Sequence, residues 1–555
     1  TEQELLAMSN DINNKIKYLE KSGEQYHRLL EQVCIAYIKG ADVDWLRLYQ
    51  GERYQKLSLP TYPYQKIRCW AKDVKLNNLQ VKMQPDDEIN DTFYNVEWVQ
   101  KDIMPEETTS ELGNILVFRN KTKESSRLFQ TLKEQEGHLI EVTRGDAYEK
   151  IDDNTYIVGC DEESYIALFS SIKEYNLTKI IHLQSLCGDE PETMQQFKEG
   201  QKNGVMSLYY MTRALCTVLA NKEIEIVLVS NYVNEVTRKE ERIYPQAAAL
   251  FGLGKVIGQE YTNLYCRGID IDCHTKMEEI VKELKYGKDV YQVAYRKGQR
   301  FIEELHELDE GKIGDLNIQI HQDGIYIITG GMGGIGLEFS RYLAGNGPVK
   351  LALFNRTQFP PREKWDAIIA RQENFKVINK ILAIQEIEAK GSEVFIYSLD
   401  VTDYDAVNKI LCELRDKYGK ISGIIHSAGI IKDALIKNKD EAQFKNILGV
   451  KMEGTWILDK LTEQDELEFF VVFSSIASLL GGVGKGDYVA GNAYLDAYAA
   501  YRNKKGKRTL SISWPVWKDA GMAVDNYANY DGIFKSIEIK KAIRCFDKIW
   551  NKNIN

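Results

Sequence analysis

The stretch IYIITGGMGGIGLEFSRYLA (325–344) decides the fold. Its β-branched start leads straight into Thr329-Gly330-Gly331-Met332-Gly333-Gly334-Ile335-Gly336, and apolar residues at helical spacing follow. The glycines satisfy both G-x-G-x-x-G (331, 333, 336) and T-G-x-x-x-G-x-G. Such a strand, glycine turn and helix open a doubly wound sheet. The glycines permit the tight turn and let backbone N–H groups approach a pyrophosphate at the positive end of the helix.

Outward from that turn, further strands read as LALF (351–354), VFIYSLD (394–400), GIIH (423–426), FFVVFSS (469–475) and LSISW (510–514). The strand LALF, second in this unit, ends in Asn355-Arg356, where an acidic residue would bond the NAD ribose. A guanidinium suits a 2′-phosphate, so NADPH is the expected cofactor. Asp400-Val401 and His426-Ser427-Ala428-Gly429 end later strands, where a doubly wound sheet binds its ligand. An earlier series, from FYNVEW (93–98) and ILVF (115–118) through HLIEV (138–142), YIVG (156–159), IIHL (180–183) and IEIVLVS (224–230) to CRGIDID (266–272), predicts a sheet of the same class. Its ILVF strand enters RNKTKESS (119–126) without a glycine, so this half keeps the fold without a nucleotide site.

The expected architecture is α/β, with two tandem Rossmann-like doubly wound parallel sheets behind a small helical linker segment. The divisions fall at 1–90, 91–320 and 321–555. Residues 1–50 carry a helical pattern through Leu5, Ile12, Ile16, Leu19, Leu29, Val33 and Ala36, which Gly40 stops. Residues 58–64 read as extended around two prolines, and 77–91 as a polar linker.

At 555 residues, 44% hydrophobic and 28% charged, the composition excludes disorder and small disulfide scaffolds. A net charge of −10 argues against a nucleic-acid or anionic-membrane binder. The nine cysteines form no C-x-x-C pair and no H-E-x-x-H occurs, so no metal is expected and free thiols in a reducing cytoplasm are. The sequence opens on Thr1, which reads as a piece of a longer polypeptide.

Chemistry concentrates in FFVVFSSIASLLGGVGKGDYVAGNAYLDAYAAYR (469–502). Ser475 and Tyr488 are 13 apart, Tyr488 and Asn492 share a helix face at i, i+4, and Lys451 lies 24 residues before Ser475. This set resembles the ketoreductase domain of bacterial modular polyketide synthases, a branch of the short-chain dehydrogenase/reductase superfamily. In that branch the superfamily's Tyr-x-x-x-Lys is replaced by an earlier Lys and an Asn four residues after the Tyr. The resemblance spans roughly 90–530, and ADVDWLRLYQGE (41–52) with SLPTYPYQKIRCW (58–70) resemble the linker that follows a ketosynthase or acyltransferase.

The resemblance implies reduction of a keto group, with a 3-ketoacyl substrate expected, on a chain tethered by phosphopantetheine to an acyl carrier protein, beside neighbouring synthase domains. Tyr488 is then the proton donor, Lys451 the charge that lowers its pKa, Ser475 the donor to the carbonyl oxygen, and Asn492 the residue that orients a relay. Ile431-Lys432-Asp433 stands where B-type members carry Leu-Asp-Asp, and Leu480 where A-type members carry Trp. The retained Asp433 implies a B-type, D-configured alcohol. Ser230 and Tyr244 echo the pair at a spacing of 14, but Ala248 stands four residues on, the mark of a silent copy. No Asp-Ser-Leu attachment motif is present, so the carrier comes from elsewhere, with the basic run 502–508 as its candidate dock. The segment from Trp514 to Met522 is the candidate substrate lid. The alternatives are a catalytically silent scaffold and a free-standing alcohol dehydrogenase.

Overall fold

The computed structural model describes residues 2–17, 24–50, 93–103, 112–135, 137–186, 189–309, 311, 313–316, 318–372, 374–521 and 534–552. The chain divides into two compact units, Thr1–Glu88 and Ile89–Asn555. In the first, helices Glu2–Lys17 and Glu24–Ile38 bury Ile12, Ile16, Val33 and Ala36 against Ala41, Val43 and Leu48. Gly40, at φ 96°, turns the chain in the left-handed conformation that glycine adopts without strain. Asn13 then bonds the Asp42 carbonyl and the Asp44 amide, and Asp44 caps the short helix Trp45–Leu48. The expected extended run at 58–64 and linker at 77–91 lie outside the described residues.

The second unit holds two sheets. The first comprises β1 (Tyr94–Gln100), β2 (Asn114–Phe118), β3 (Leu139–Arg144), β4 (Glu149–Lys150), β5 (Thr155–Val158), β6 (Leu177–His182), β7 (Ile224–Asn231), β8 (Leu264–Ile271), β9 (Gln292–Arg296) and β10 (Gln299–Glu307). Their order is β1-β10-β9-β8-β7-β6-β2-β3-β5-β4. From β5 to β9 the neighbours run parallel, but β4 and the β9-β10-β1 edge run antiparallel. This departs from the parallel sheet expected of the sequence. Lys297 and Gly298, both at positive φ (51° and 75°), make the two-residue turn that pairs β9 with β10. Continuous apolar runs do not reveal such a hairpin, whose outer strand buries only Arg300 and Ile302.

The second sheet comprises β11 (Ile325–Thr329), β12 (Lys350–Asn355), β13 (Glu393–Ser398), β14 (Ile421–His426), β15 (Phe469–Ser475) and β16 (Thr509–Trp514). It is wholly parallel, in the order β13-β12-β11-β14-β15-β16. Every residue of β11 is buried, as a parallel strand covered by helices on both faces requires. Strand order reverses at β11, between β12 and β14, and that reversal opens a crevice at the carboxyl ends of these strands. The doubly wound α/β class read from the sequence is therefore the fold.

Helix α1 (Gln246–Glu260) follows β7 in the first lobe. Helices α2 (Gly334–Gly345), α3 (Glu441–Leu461), α4 (Gly486–Lys504) and α5 (Ile539–Trp550) belong to the second. The lobes meet along α1 and α4. A Cβ on Gly252 would stand 3.0 Å from both Ala490 Cα and the Val489 carbonyl oxygen, so glycine lets the two helix backbones touch. One buried cluster runs through both lobes, joining Leu250, Leu253 and Ile257 of α1 to Val489, Ala490 and Ala497 of α4. No helix among the described residues is long and apolar enough to cross a membrane, no cluster there could hold a metal ion, and no disulfide joins the described cysteines to one another.

Candidate active site

The glycine turn after β11 is built without room for side chains. Gly330 sits at φ 65°. A Cβ on Gly331 would lie 2.8 Å from the Ile328 carbonyl oxygen, and one on Gly336 only 2.5 Å from that of Gly330. Gly333 precedes α2 and no side chain caps the helix, so its first N–H groups have no side-chain acceptor. This is the kind of helix end that binds a pyrophosphate. The uncapped end and the glycine cradle together fit a dinucleotide. Met332 is buried beneath the turn and Ile335 packs toward Gly521.

Thr329 locks the turn to β14. Its Oγ1 donates to His426 Nδ1 (2.6 Å) and accepts from the Ala428 amide (3.2 Å), while Ser427 Oγ donates to the Thr329 carbonyl (2.7 Å). His426 Nε2 donates to the Val450 carbonyl of α3 (3.1 Å). Burial, helped by the charge of Lys451, drives this imidazole down to about 3. His426 is therefore a neutral strut joining β11, β14 and α3, a role its place in the sequence did not disclose. Gly429 follows on the irregular run after β14.

The other expected cofactor residues divide. Arg356 is exposed at the end of β12, donating to Asn446 Oδ1 of α3 (3.3 Å), and Asn355 Nδ2 donates to the Thr357 carbonyl (2.6 Å). Asp400 is turned into its own loop, where Oδ1 accepts from the Thr402 amide (2.9 Å) and hydroxyl (2.7 Å). Val401 is buried, and a Cβ on Gly454 would lie 2.8 Å from its Cγ1.

Next to this turn the fold gathers the four polar residues. Ser475 ends β15, whose neighbour β14 ends at His426. Lys451, 3% exposed, extends from α3 and donates to the Phe473 carbonyl (2.7 Å), with Nζ 5.9 Å from the Tyr488 ring centre. A Cβ on Gly491 would lie 3.1 Å from Lys451 Cβ, so glycine there leaves space for the lysine stem. Burial lowers the Lys451 ammonium to about 8, against the pull of Asp496.

Burial also raises the Tyr488 phenol, and hydrogen bonding with Ser475 and Asn492 pulls it back while Asp433 pushes it up. Asn492 Nδ2 donates to the Tyr488 carbonyl (2.7 Å), and its buried Oδ1 has no partner among the described residues. Three residues went unnoticed in the sequence. Lys439 Nζ stands 2.8 Å from Asp487 Oδ2 with both nearly inaccessible, Asp487 Oδ1 accepts the Tyr488 amide (2.8 Å), and Asp496 accepts Ser511 Oγ (2.6 Å). Only the position of Asp487 in the first turn of α4 could have signalled one of them.

Two segments singled out in the sequence make internal contacts. In the basic run 502–508, Arg502 is buried and paired with Asp459, Lys505 meets Glu190 (2.6 Å), Lys507 lies 3.4 Å from Glu463, and Arg508 donates to the Lys552 carbonyl (2.7 Å). In the expected lid, Trp514, Trp517 and Ala520 are buried, and Trp517 bridges to Ile537. A Cβ on Gly334 would lie 3.0 Å from the Gly521 amide, so this stretch is packed against the glycine turn, while Met522 lies outside the described residues.

The first lobe differs at the matching positions. Asn120 closes the end of β2 by donating to the Gln184 (3.2 Å) and Leu186 (2.8 Å) carbonyls, and Thr122 caps the following helix, Lys123–Lys133. Ser230 donates to the Ser185 carbonyl (2.9 Å), Tyr244 accepts from Arg242 (3.2 Å), and Ala248 is buried.

Known proteins bear on this geometry. Residues 324–519 match the KR domain family, and residues 113–287 match the family described as beta-ketoacyl synthase-like, N-terminal. The chain is 25% identical over 566 aligned residues, 98% of its length, to polyketide synthase PksM of Bacillus subtilis (strain 168). It is 32% identical over 353 residues, 61% of its length, to PksN of the same organism. It spans only 12% and 6% of those two relatives. Among solved structures, an N-terminal ketoreductase from the macrolactin assembly line aligns over 82% of this chain and 88% of its own, with a TM-score of 0.68 at 24% identity. An adenylation, ketoreductase and pseudo-Asub structure from a keto acid-selecting module aligns over 83% of this chain and 38% of its own, at 0.73 and 21%. Both share the fold. The uncapped glycine turn, the Tyr488 set and the match of residues 324–519 to the KR domain family coincide in one lobe, and that lobe is similar to the corresponding part of polyketide synthases.

Proposed function

We propose that the chain is an NADPH-dependent ketoreductase acting on a ketoacyl thioester, in the first instance a 3-ketoacyl one, carried on the phosphopantetheine arm of an acyl carrier protein. The observation that carries this reading is the convergence of Ser475, Tyr488, Lys451 and Asn492 beside the uncapped α2. When bound, the nicotinamide would supply hydride to the carbonyl carbon. Ser475 donates a hydrogen bond to the carbonyl oxygen, and the Tyr488 proton passes to that oxygen as charge builds on it. Lys451 holds positive charge behind Tyr488, and the unpartnered Oδ1 of Asn492 offers an acceptor for the water or ammonium that restores the proton. Arg356, exposed at the end of β12, takes the 2′-phosphate.

Asp433 lies on the loop facing Tyr488 and favours a B-type, D-configured product. The linker at 1–90, the silent lobe at 91–320 and the catalytic lobe at 321–555 form one working piece, with a ketosynthase and the carrier as neighbours in a larger synthase. Supplying the full chain with 2-ketoacyl and 3-ketoacyl pantetheine thioesters and either NADPH or NADH tests this. NADPH-dependent formation of the D-hydroxyacyl thioester is expected. Binding of neither nucleotide would favour the silent scaffold.

A further inference from the structure

The first lobe reaches into the loops of the second. At the end of α1, the Glu260 carboxylate accepts two backbone amides of the catalytic lobe, Ile436 through Oε2 (2.8 Å) and Gly484 through Oε1 (2.9 Å). These amides belong to different irregular segments. Ile436 follows the run that carries Asp433, and Gly484 precedes the helix that carries Tyr488. The segments touch each other through the Ala434 amide, which donates to the Gly484 carbonyl (2.9 Å), and a Cβ on Gly484 would lie 3.7 Å from Asp433 Cβ.

Around Glu260 the first lobe bonds the same segments repeatedly. Tyr261 accepts the Lys437 amide (3.0 Å), and Arg213 donates to the Ile436 (3.2 Å) and Lys439 (2.9 Å) carbonyls. Among the described residues, however, only Glu260 hydrogen-bonds both segments through one group. A charged acceptor on two amides is among the stronger hydrogen-bonding arrangements, and without it both amides would have to turn to water.

We propose that Glu260 is a positioning residue. It holds the Asp433 and Gly484 segments as one rim over Tyr488, so that the first lobe fixes the orientation in which a keto group meets the phenol. This deepens the reduction proposed above and rests on it. Glu260 touches no reacting atom. Its effect falls on substrate placement and product configuration, while the nucleotide turn, held by Thr329 and His426, is independent of it.

The test compares the full-length wild type, Glu260→Gln and Glu260→Asp with Glu190→Gln, which removes the cross-lobe ion pair to Lys505 far from these segments. Amide hydrogen exchange is read across 430–437 and 481–488, together with the NADPH Kd, kcat/KM and the ratio of product configurations. In Glu260→Gln, exchange rises in both segments, kcat/KM falls about tenfold, the minor configuration increases and the NADPH Kd stays constant. Glu260→Asp, with the charge but a shorter reach, falls between, and Glu190→Gln matches the wild type. Unchanged exchange in both Glu260 variants, or altered exchange with unchanged kcat/KM and product ratio, overturns the proposal. A wild type that reduces no thioester overturns the proposed reaction instead, and the exchange data still judge the clamp.

Discussion

The two lobes share the strand order of their parallel cores, β5-β3-β2-β6-β7-β8 in the first and β13-β12-β11-β14-β15-β16 in the second, and differ in what stands at the carboxyl ends of those strands. After β2, Asn120 and Thr122 close the chain and cap the next helix, whereas after β11 the glycines leave α2 uncapped. Each lobe buries a neutral histidine at the end of a central strand, β6 beside β2 and β14 beside β11: His182 is held at about 4 and bonds Ser207 (2.9 Å), and His426 at about 3. Ser230 and Tyr244 are occupied by structural bonds, while Ser475 and Tyr488 face each other. The comparison teaches that a doubly wound sheet supplies the crevice only. The nucleotide site depends on whether the first helix keeps its amides free, and the chemistry on a few polar side chains aimed at them.

That contrast can be broken residue by residue. The largest effect is expected at Tyr488→Phe, which removes the transferred proton. Turnover of a ketoacyl thioester falls between about 100-fold and 10,000-fold with the NADPH Kd unchanged, while Tyr244→Phe leaves both untouched. Gly336→Ala comes next, because its Cβ would lie 2.5 Å from the Gly330 carbonyl oxygen. NADPH affinity, read by fluorescence titration, should fall by at least about tenfold, equivalent to about 1.4 kcal/mol.

A pH profile sharpens the contrast further. Burial sets Lys451 at about 8, so its positive charge is present below that pH and lost above it. Turnover should therefore decline as pH rises past about 8, with no inflection from His426, which stays neutral down to about 3. The smallest effect is expected in the first lobe. Thr122→Ala removes a helix cap and should lower unfolding stability by about 1 kcal/mol while NADPH binding and turnover hold.

The parallel core of both sheets was legible because buried parallel strands are continuous apolar runs, as in Ile325–Thr329 and Ile224–Asn231. The antiparallel edge was legible only in FYNVEW, which became β1; its partner β10 was missed because it buries only Arg300 and Ile302 and is otherwise exposed or partly so. At the site, the glycines and the Tyr488 set were legible through spacing. The Lys439–Asp487 pair and the Glu260 clamp were invisible, since each joins residues distant in sequence whose types alone suggest a solvated surface. The pairing of Arg502 and Lys505 in the basic run was hidden in the same way, as their acidic partners Asp459 and Glu190 come from other parts of the chain.

The central claim is that one lobe alone binds a cofactor and reduces a tethered ketone. Its most direct measurement is the stoichiometry of NADPH bound per chain, taken together with NADPH consumed per hydroxyacyl thioester formed. One nucleotide bound and one consumed per product is the predicted result, abolished in its second part by Tyr488→Phe. Two nucleotides bound per chain, or none consumed in the presence of any ketoacyl thioester, would contradict it.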